Sequence, residues 1–305
     1  MLKVAVIGLG KLGSIHLRIY KESKDIERIY LVDKNKKALE NHNLSTCSDY
    51  HDIVKKVDLV SVATPTSSHF EIASFFLKNK IPVLVEKPIT ENPKKAEKLI
   101  KLAQKNKTLL FVGHVERYNS AYLKVKESIK NPLFIECHRL SPYPHRSLDV
   151  SVVLDLMIHD LDIILDLVQS KVKKIEAKGV KVLSTKEDIA NCRISFKNSC
   201  VANITSSRIS SKKERKIRIF MPNKYISLDY ANQSVDVYQK DQTHISHQTL
   251  AIEKEEPLKK EINHFIDLVI KKDSNSSSAK GAKDALSAAT KIEKILKKDT
   301  TNIPR

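Results

Sequence analysis

The sequence predicts two domains: an α/β domain with a parallel sheet covered by helices on both faces, then an α+β domain with a large, mostly antiparallel open sheet. Three observations carry that reading. The chain has 305 residues, more than one average domain. Residues 1–117 alternate strand and helix, and strands apolar on both faces between helices are those of a parallel sheet. From residue 118 to the end, long stretches of period-two alternation take over, the pattern of half-buried antiparallel strands.

Taken in order, "LKVAVI" is a β-branched run that stops at Gly8, and a helical pattern follows from Lys11 to Glu22. "RIYLVD" makes the second strand, and the alternation recurs through "VDLVSVATP", "IPVLVEKP" and "TLLFVGH", with helices expected over 68–79 and 93–105. Ser68 with Glu71 has the spacing of a capping box, and Pro93 after Asn92 suits a first helical turn. In the second part come "LFIECHRL", an apolar helix "DLMIHDLDIILDL", and strands in "KVKKIEAKGVKVL", "DIANCRISFKN", "SCVANITSSRIS", "RKIRIFMPN" and "KYISLDY". "KNS" and "PNK" read as hairpin turns. One face of this sheet should pack on helices and the other meet a partner subunit, as a homodimer or homotetramer. A helix over 257–271, a Ser-rich segment "KKDSNSSSAKG" expected as a mobile surface turn, and a last helix able to pack back on the first domain complete the chain.

The formal charge of +18 invites a nucleic-acid reading, but only ten of the 54 basic residues are arginine. The lysines are scattered, without a basic block and without interleaved aromatics for base stacking, which argues against it. The field instead favours anionic small substrates. Cys47, Cys137, Cys192 and Cys200 lack CxxC spacing, which fits reduced thiols in a cytoplasm. Cys192 and Cys200 are close enough in sequence to face each other across a hairpin. The N-terminus reads as a strand and not a secretory signal, and no segment has the roughly 20 apolar residues of a membrane span.

"GLGKLG" places Gly8, Gly10 and Gly13 in GxGxxG spacing between the first strand and first helix, with Asp33 ending the second strand. In that context the pattern predicts a Rossmann dinucleotide-binding domain. Gly8 would allow the tight turn, Gly10 the approach of a pyrophosphate and Gly13 close helix–sheet packing; the amides around Lys11 and Leu12 would meet the phosphates. Asp33 would bind an adenosine ribose and repel a 2′-phosphate, favouring NAD over NADP, although Lys34, Lys36 and Lys37 keep NADP open. Ligands of such sheets bind beyond the strands' carboxyl ends, where Thr64, Pro65 and His69, then Glu86 and Lys87, are found. Lys87 is either a surface residue leaving the sheet or a catalytic lysine.

The helix "DLMIHDLDIILDL" poses its own question. At about 100° per residue, Asp155, His159, Asp162 and Asp166 share one stripe. A solvated face, a metal site, or an acid/base group aimed into a cleft all fit it. Arg139 and Arg146, flanking "LSPYPH", are candidate clamps for a phosphorylated substrate or ordinary salt-bridge partners; Arg117 and Asn119 are similar candidates.

The order of these motifs resembles the Gfo/Idh/MocA oxidoreductase family over essentially the whole chain. "GLGKLGSIH" is similar to its fingerprint with a trailing histidine, His16; "EKP" to its tripeptide, whose lysine works at the substrate hydroxyl; "DLMIHDLD" to its helix, with Asp155, His159 and Asp162 in register. Val150, Ser151 and Met157 stand where many members carry glycines, and "GHVERYN" keeps only Arg117 of the commoner form. These departures, with "HRLSPYPHR", resemble the nucleotide-sugar branch. The resemblance implies an NAD-dependent enzyme without a metal that oxidises a secondary hydroxyl, C3 of UDP-N-acetylglucosamine on the way to lipid A. It makes the stripe a cleft wall, with Lys87 or His159 as base and Asp155 orienting the substrate or the imidazole. Another sugar, an inositol or a UDP-sugar uronate is the alternative substrate, and a non-catalytic dinucleotide-binding sensor the alternative of another class.

Overall fold

The computed structural model describes residues 1–40, 42–143, 150–242 and 244–300. The chain divides into two compact units, Met1–Val115 with Leu258–Lys283, and Glu116–Pro257 with Asp284–Arg305. The expected boundary at residue 117 thus lies just past the observed one, and a late segment returns to the first unit.

The first unit runs β1 (Leu2–Ile7), α1 (Lys11–Glu22), β2 (Ile26–Val32), β3 (Ser45–Cys47), β4 (Leu59–Val62), α2 (Thr66–Lys78), β5 (Val83–Glu86), α3 (Pro93–Asn106) and β6 (Leu110–Gly113). All strand pairs are parallel, in the order β3-β2-β1-β4-β5-β6. This is the doubly wound order, whose reversal between β1 and β4 opens a crevice at the strands' carboxyl ends. The strands are apolar because both faces are covered: Val4, Val6, Leu59, Val60, Val62, Val83, Leu84 and Val85 are fully buried, each contributing about 1.5–3 kcal/mol of burial for a Val- or Leu-sized side chain. Ser61, equally buried in the middle of β4, breaks the pattern.

The Asn92 side chain caps α3 through the Lys95 amide, with Pro93 in the first turn. The capping box expected from Ser68 and Glu71 does not form. The helix begins earlier, at Thr66 after Pro65; Ser68 Oγ donates within the preceding turn, and Glu71 accepts the Tyr50 hydroxyl.

The second unit holds α4 (Ser120–Val125), β7 (Phe134–Leu140), a π-helical turn over Val153–Met157 that runs into α5 (Ile158–Val168), then β8 (Val172–Val180), β9 (Ile189–Phe196), β10 (Val201–Ser207), β11 (Glu214–Met221), β12 (Lys224–Asp229), β13 (Ser234–Asp241) and β14 (His244–Thr249). The strands form one sheet in the order β14-β13-β12-β11-β7-β10-β9-β8, antiparallel except for β7 with β10. Ile135, Cys137, Cys192, Ile194, Ala202, Ile204, Ile217, Ile219, Ile226 and Leu228 make its buried face. The alternate positions carry a cross-strand row of rings, Phe134, Phe220, Tyr225, Tyr238 and His247, with successive centroids 4.4–5.6 Å apart. Cys192 lies opposite Ile204, while the Cys200 carbonyl accepts from Phe196. The cysteine pairing considered from sequence is therefore out of register, and the thiols are free.

Two helices close the chain, α6 (Pro257–Ile270) and α7 (Ala279–Thr300). The Ser-rich segment between them is more than the surface turn expected. Ser278 Oγ accepts from the Val112 amide at 2.7 Å and Ser277 Oγ donates to the Leu110 carbonyl at 2.6 Å. Because β6 is the sheet's edge, these hydroxyls satisfy backbone groups that would otherwise invite another strand. Among the described residues, no helix is long and apolar enough to cross a membrane.

Candidate active site

The carboxyl ends of β1 and β2 form a backbone-built anion site. Gly8 has φ +91°, and a Cβ there would lie 2.7 Å from the Ala63 carbonyl oxygen, so only glycine fits. A Cβ on Gly13 would stand 1.8 Å from the Gly8 oxygen; helix and turn touch. Gly10 is different, since nothing lies within 4 Å of its Cβ position. It fronts open space at the start of α1, where the first intrahelical bond comes from the Ser14 amide. The Lys11, Leu12 and Gly13 amides precede that bond, and no side chain caps the helix, which leaves donors and the positive dipole end for an anion. Asp33 accepts the Leu9 amide at 2.7 Å through Oδ2 and the Asn35 amide at 2.8 Å through Oδ1. Each oxygen keeps a further lone pair for ribose hydroxyls. These residues fit a dinucleotide.

Beyond β4 and β5, the buried His69 ring joins two strand ends. Its Nε2 lies 2.8 Å from the Thr64 carbonyl oxygen and its Nδ1 2.9 Å from that of Pro88. Burial pushes its pKa below the usual histidine value, against the pull of the two carbonyls. Lys87, half-buried, stands between Pro88 and Glu86. The Glu86 carboxylate is only 6% exposed; Oε2 accepts the Lys87 amide at 3.2 Å, and Oε1 lies 3.0 Å from His16 Nε2.

In the second unit, most of the expected polar groups have internal partners. Arg117 grips Asp162 through Nε and Nη2, at 2.5 and 2.9 Å, and reaches Asp166 through Nη1 at 2.9 Å. Tyr122 donates to the other Asp166 oxygen. Burial opposes the Arg117 charge, but these carboxylates raise its pKa above the ordinary arginine value. Arg139, 2% exposed, forks onto Asp160 and donates through Nη1 to Glu116. Asn119, also 2% exposed, caps α4 and donates to the Tyr230 carbonyl. Sequence spacing offered Arg117, Asn119 and Arg139 as substrate contacts; the structure ties each to internal partners, with Asn119 and Arg139 buried and 27% of the Arg117 side chain exposed. Arg146 lies outside the described residues.

The stripe is corrected too. Asp155 sits in the π-helical turn, whose wider i→i+5 bonding shifts the phase of the following residues. Asp162 is 1% exposed under Arg117. Asp155 and His159 are half-buried. Among the described residues, no group of three His, Cys, Asp or Glu is placed to hold a metal.

Sequence reasoning passed over two features. Arg215 on β11 stands opposite Arg139, with 40% of its side chain exposed and a 3.7 Å pair to Glu116; burial and the neighbouring Arg139 lower its pKa, while Glu116, Asp160 and Asp155 oppose them. Nothing in the spacing of "ERKIRI" separates it from its basic neighbours. His16 was noted without a role. The signal was there: Gly13, His16, Leu17 and Tyr20 form the buried stripe of α1, and a serine interrupts the apolar β4.

Comparison with known proteins agrees with this geometry. Residues 2–114 match the model of the Gfo/Idh/MocA oxidoreductase family, NAD-binding Rossmann fold, and residues 128–227 that of the Gfo/Idh/MocA C-terminal domain. UDP-N-acetylglucosamine 3-dehydrogenase of Acidithiobacillus ferrooxidans is 33% identical over 244 residues, 78% of this chain and 77% of that protein. A solved structure of that name from the same organism superposes with a TM-score of 0.91 over 97% of this chain and 98% of its own, at 28% identity. Myo-inositol 2-dehydrogenase of Thermotoga maritima is 27% identical over 68% of this chain and 69% of its own.

Proposed function

From the premise that this chain belongs to the Gfo/Idh/MocA oxidoreductase family, we propose that it oxidises the C3 hydroxyl of UDP-N-acetylglucosamine with NAD, giving the 3-oxo sugar used in lipid A synthesis. Likeness over most of the chain to the dehydrogenase of that name carries the reading. Bound NAD would supply the hydride-accepting nicotinamide, held by Gly8, Gly10, Lys11, Leu12 and Gly13 at the pyrophosphate, Asp33 at the ribose, and Thr64, Pro65, His69 and Glu86 along the crevice.

The chain's own task is the proton. A carbinol that loses hydride must also lose its hydroxyl proton, so a base within hydrogen-bond reach lowers the barrier. Lys87 and His159 are the groups assigned to it, with Asp155 orienting the substrate or the imidazole. A lysine that stays charged would instead stabilise the developing alkoxide. Arg215 and Arg146 are assigned to the diphosphate. The protein is further proposed to work in the cytoplasm, which suits its free thiols, and to pair with copies of itself through the ring-bearing face of the second unit's sheet.

NADH formation from NAD and UDP-N-acetylglucosamine, with a carbonyl trap to draw an uphill oxidation forward, tests the reading. Turnover with this sugar, lowered about 10²–10⁴-fold in Lys87→Met with NAD still bound, is the expected result. Silence despite NAD binding, or turnover only with inositols or free sugars, would remove the substrate assignment. Near-normal turnover in the Lys87 variant would remove that residue's role. Arg215→Ala should raise KM for the UDP-sugar and leave that for NAD; equal changes would sink its assignment.

A further inference from the structure

We propose that His16 is a positioning residue for Lys87, protonated at Nε2 and passing a fixed line of hydrogen bonds from the interior of the sheet to the Lys87 amide. The inference rests on the assignment of Lys87 to the proton, but its geometry lies wholly within the first unit. His16 and Ser61 are fully buried. His16 Nδ1 is 2.6 Å from Ser61 Oγ, and Nε2 is 3.0 Å from Glu86 Oε1. The second carboxylate oxygen accepts the Lys87 amide.

Donors and acceptors along this line fix its Glu86 end. Oε2 accepts the Lys87 amide, and a carboxylate Oε1 at 3.0 Å accepts from His16 Nε2, which therefore carries a proton. Nδ1 faces the Ser61 hydroxyl, which can donate or accept.

The consequence falls on Lys87. Its preceding residue is held by His16 and its following residue by His69, through the Pro88 carbonyl. Gly113 on β6 makes room for this, since a Cβ there would come within 2.8 Å of Glu86 Oε1. His16 also belongs to α1, whose first turn offers the phosphate-binding amides. One helix therefore ties the cofactor end of the crevice to the backbone that bears the lysine, and a 1 Å misplacement of a reacting group can cost about 100-fold in rate.

The test reads the protonation of His16 first. The protein contains 11 histidines, so selective 15N-histidine labelling gives a tractable spectrum, with the His16 signals identified by their loss in His16→Gln. The expected result at pH 7.5 is a protonated Nε2; an unprotonated Nε2 overturns the proposal. Hydrogen exchange of the Lys87 amide should then be at least ~10-fold faster in His16→Leu and slower again in His16→Gln, whose amide can still donate to Glu86. Unchanged exchange overturns it. In the turnover assay, kcat should fall about 100-fold in His16→Leu, with partial recovery in His16→Gln and little change in NAD affinity. If kcat and NAD affinity decline together in His16→Gln, the residue is structural and the proposal fails. The first two measurements need no substrate. They stand if UDP-N-acetylglucosamine proves inert, and that result would overturn the substrate reading alone.

Discussion

The two units handle charge in opposite ways. The crevice of the first is built largely from backbone: glycines that bring amides forward, a helix start without a side-chain cap, and one aspartate that holds a turn. The second surrounds α5 with arginines and acids that neutralise one another inside the protein, Arg117 with Asp162 and Asp166, Arg139 with Asp160 and Glu116, Arg208 with Asp188. The difference teaches that charge type is a poor guide to a binding residue. An arginine beside a substrate needs spare donors, and Arg139 and Arg117 each turn three of their five toward internal carboxylates, while the uncapped amides in the first unit have no such partners.

The largest effect that separates the regions should come from Arg139→Met. Removing one member of a buried pair leaves the others charged and desolvated, which costs about 3–5 kcal/mol. Here Asp160 and Glu116, 1% and 6% exposed, would be left behind. A urea titration should show the lower midpoint with unaltered slope. If stability is kept and only the KM for the sugar nucleotide rises, Arg139 is a clamp after all and the contrast drawn above collapses.

Within the first unit, Gly13→Ala and Gly10→Ala should part company. The Gly13 Cβ meets backbone at 1.8 Å, so overpacking should destabilise by about 1–3 kcal/mol or more. Gly10 faces open space, and its alanine variant should match the parent's stability within about 0.5 kcal/mol while occupying the approach of the pyrophosphate. Titrating NADH fluorescence should then show at least ~10-fold weaker binding, equivalent to about 1.4 kcal/mol. Equal affinity in Gly10→Ala would mean that the phosphates do not approach this glycine.

The same contrast explains what sequence could reveal. Gly8, Gly10, Gly13 and Asp33 were legible because their chemistry is local: spacing, a preceding strand and a following helix specify the turn. The strand alternation revealed both sheets for a similar reason, since period and length report which faces are buried. The internal bonds of Arg117, Asn119 and Arg139 were not legible because they run to partners 45, 111 and 21 residues away, and spacing carries no such information. The π-helical turn at Asp155 also escaped a projection that assumes one uniform helix. His16 lay between these cases. Its helical stripe showed it buried, and a buried histidine requires polar partners, but only the parallel pairing of β1 with β4 and β4 with β5 brings Ser61 and Glu86 to it.

The smallest effect concerns His69, the buried titratable group that links the ends of β4 and β5. Its pKa is lowered chiefly by burial, so the unfolded chain takes up this proton at higher pH than the folded protein does. Stability from the group is fully present above the unfolded value, near 6.5, and declines as pH falls below it toward the depressed folded value, because the slope with pH follows the excess protons bound by the unfolded state. Chemical denaturation at stepped pH should show that decline, and it should flatten in His69→Gln, which keeps a donor and an acceptor but does not titrate. The comparison is sharpened by running Arg139→Met beside it. Arginine holds its charge throughout this window, so that variant should lose stability without removing the pH dependence contributed by His69. A His69→Gln profile parallel to the parent's would place the titrating group elsewhere and leave the first unit's crevice insensitive to pH.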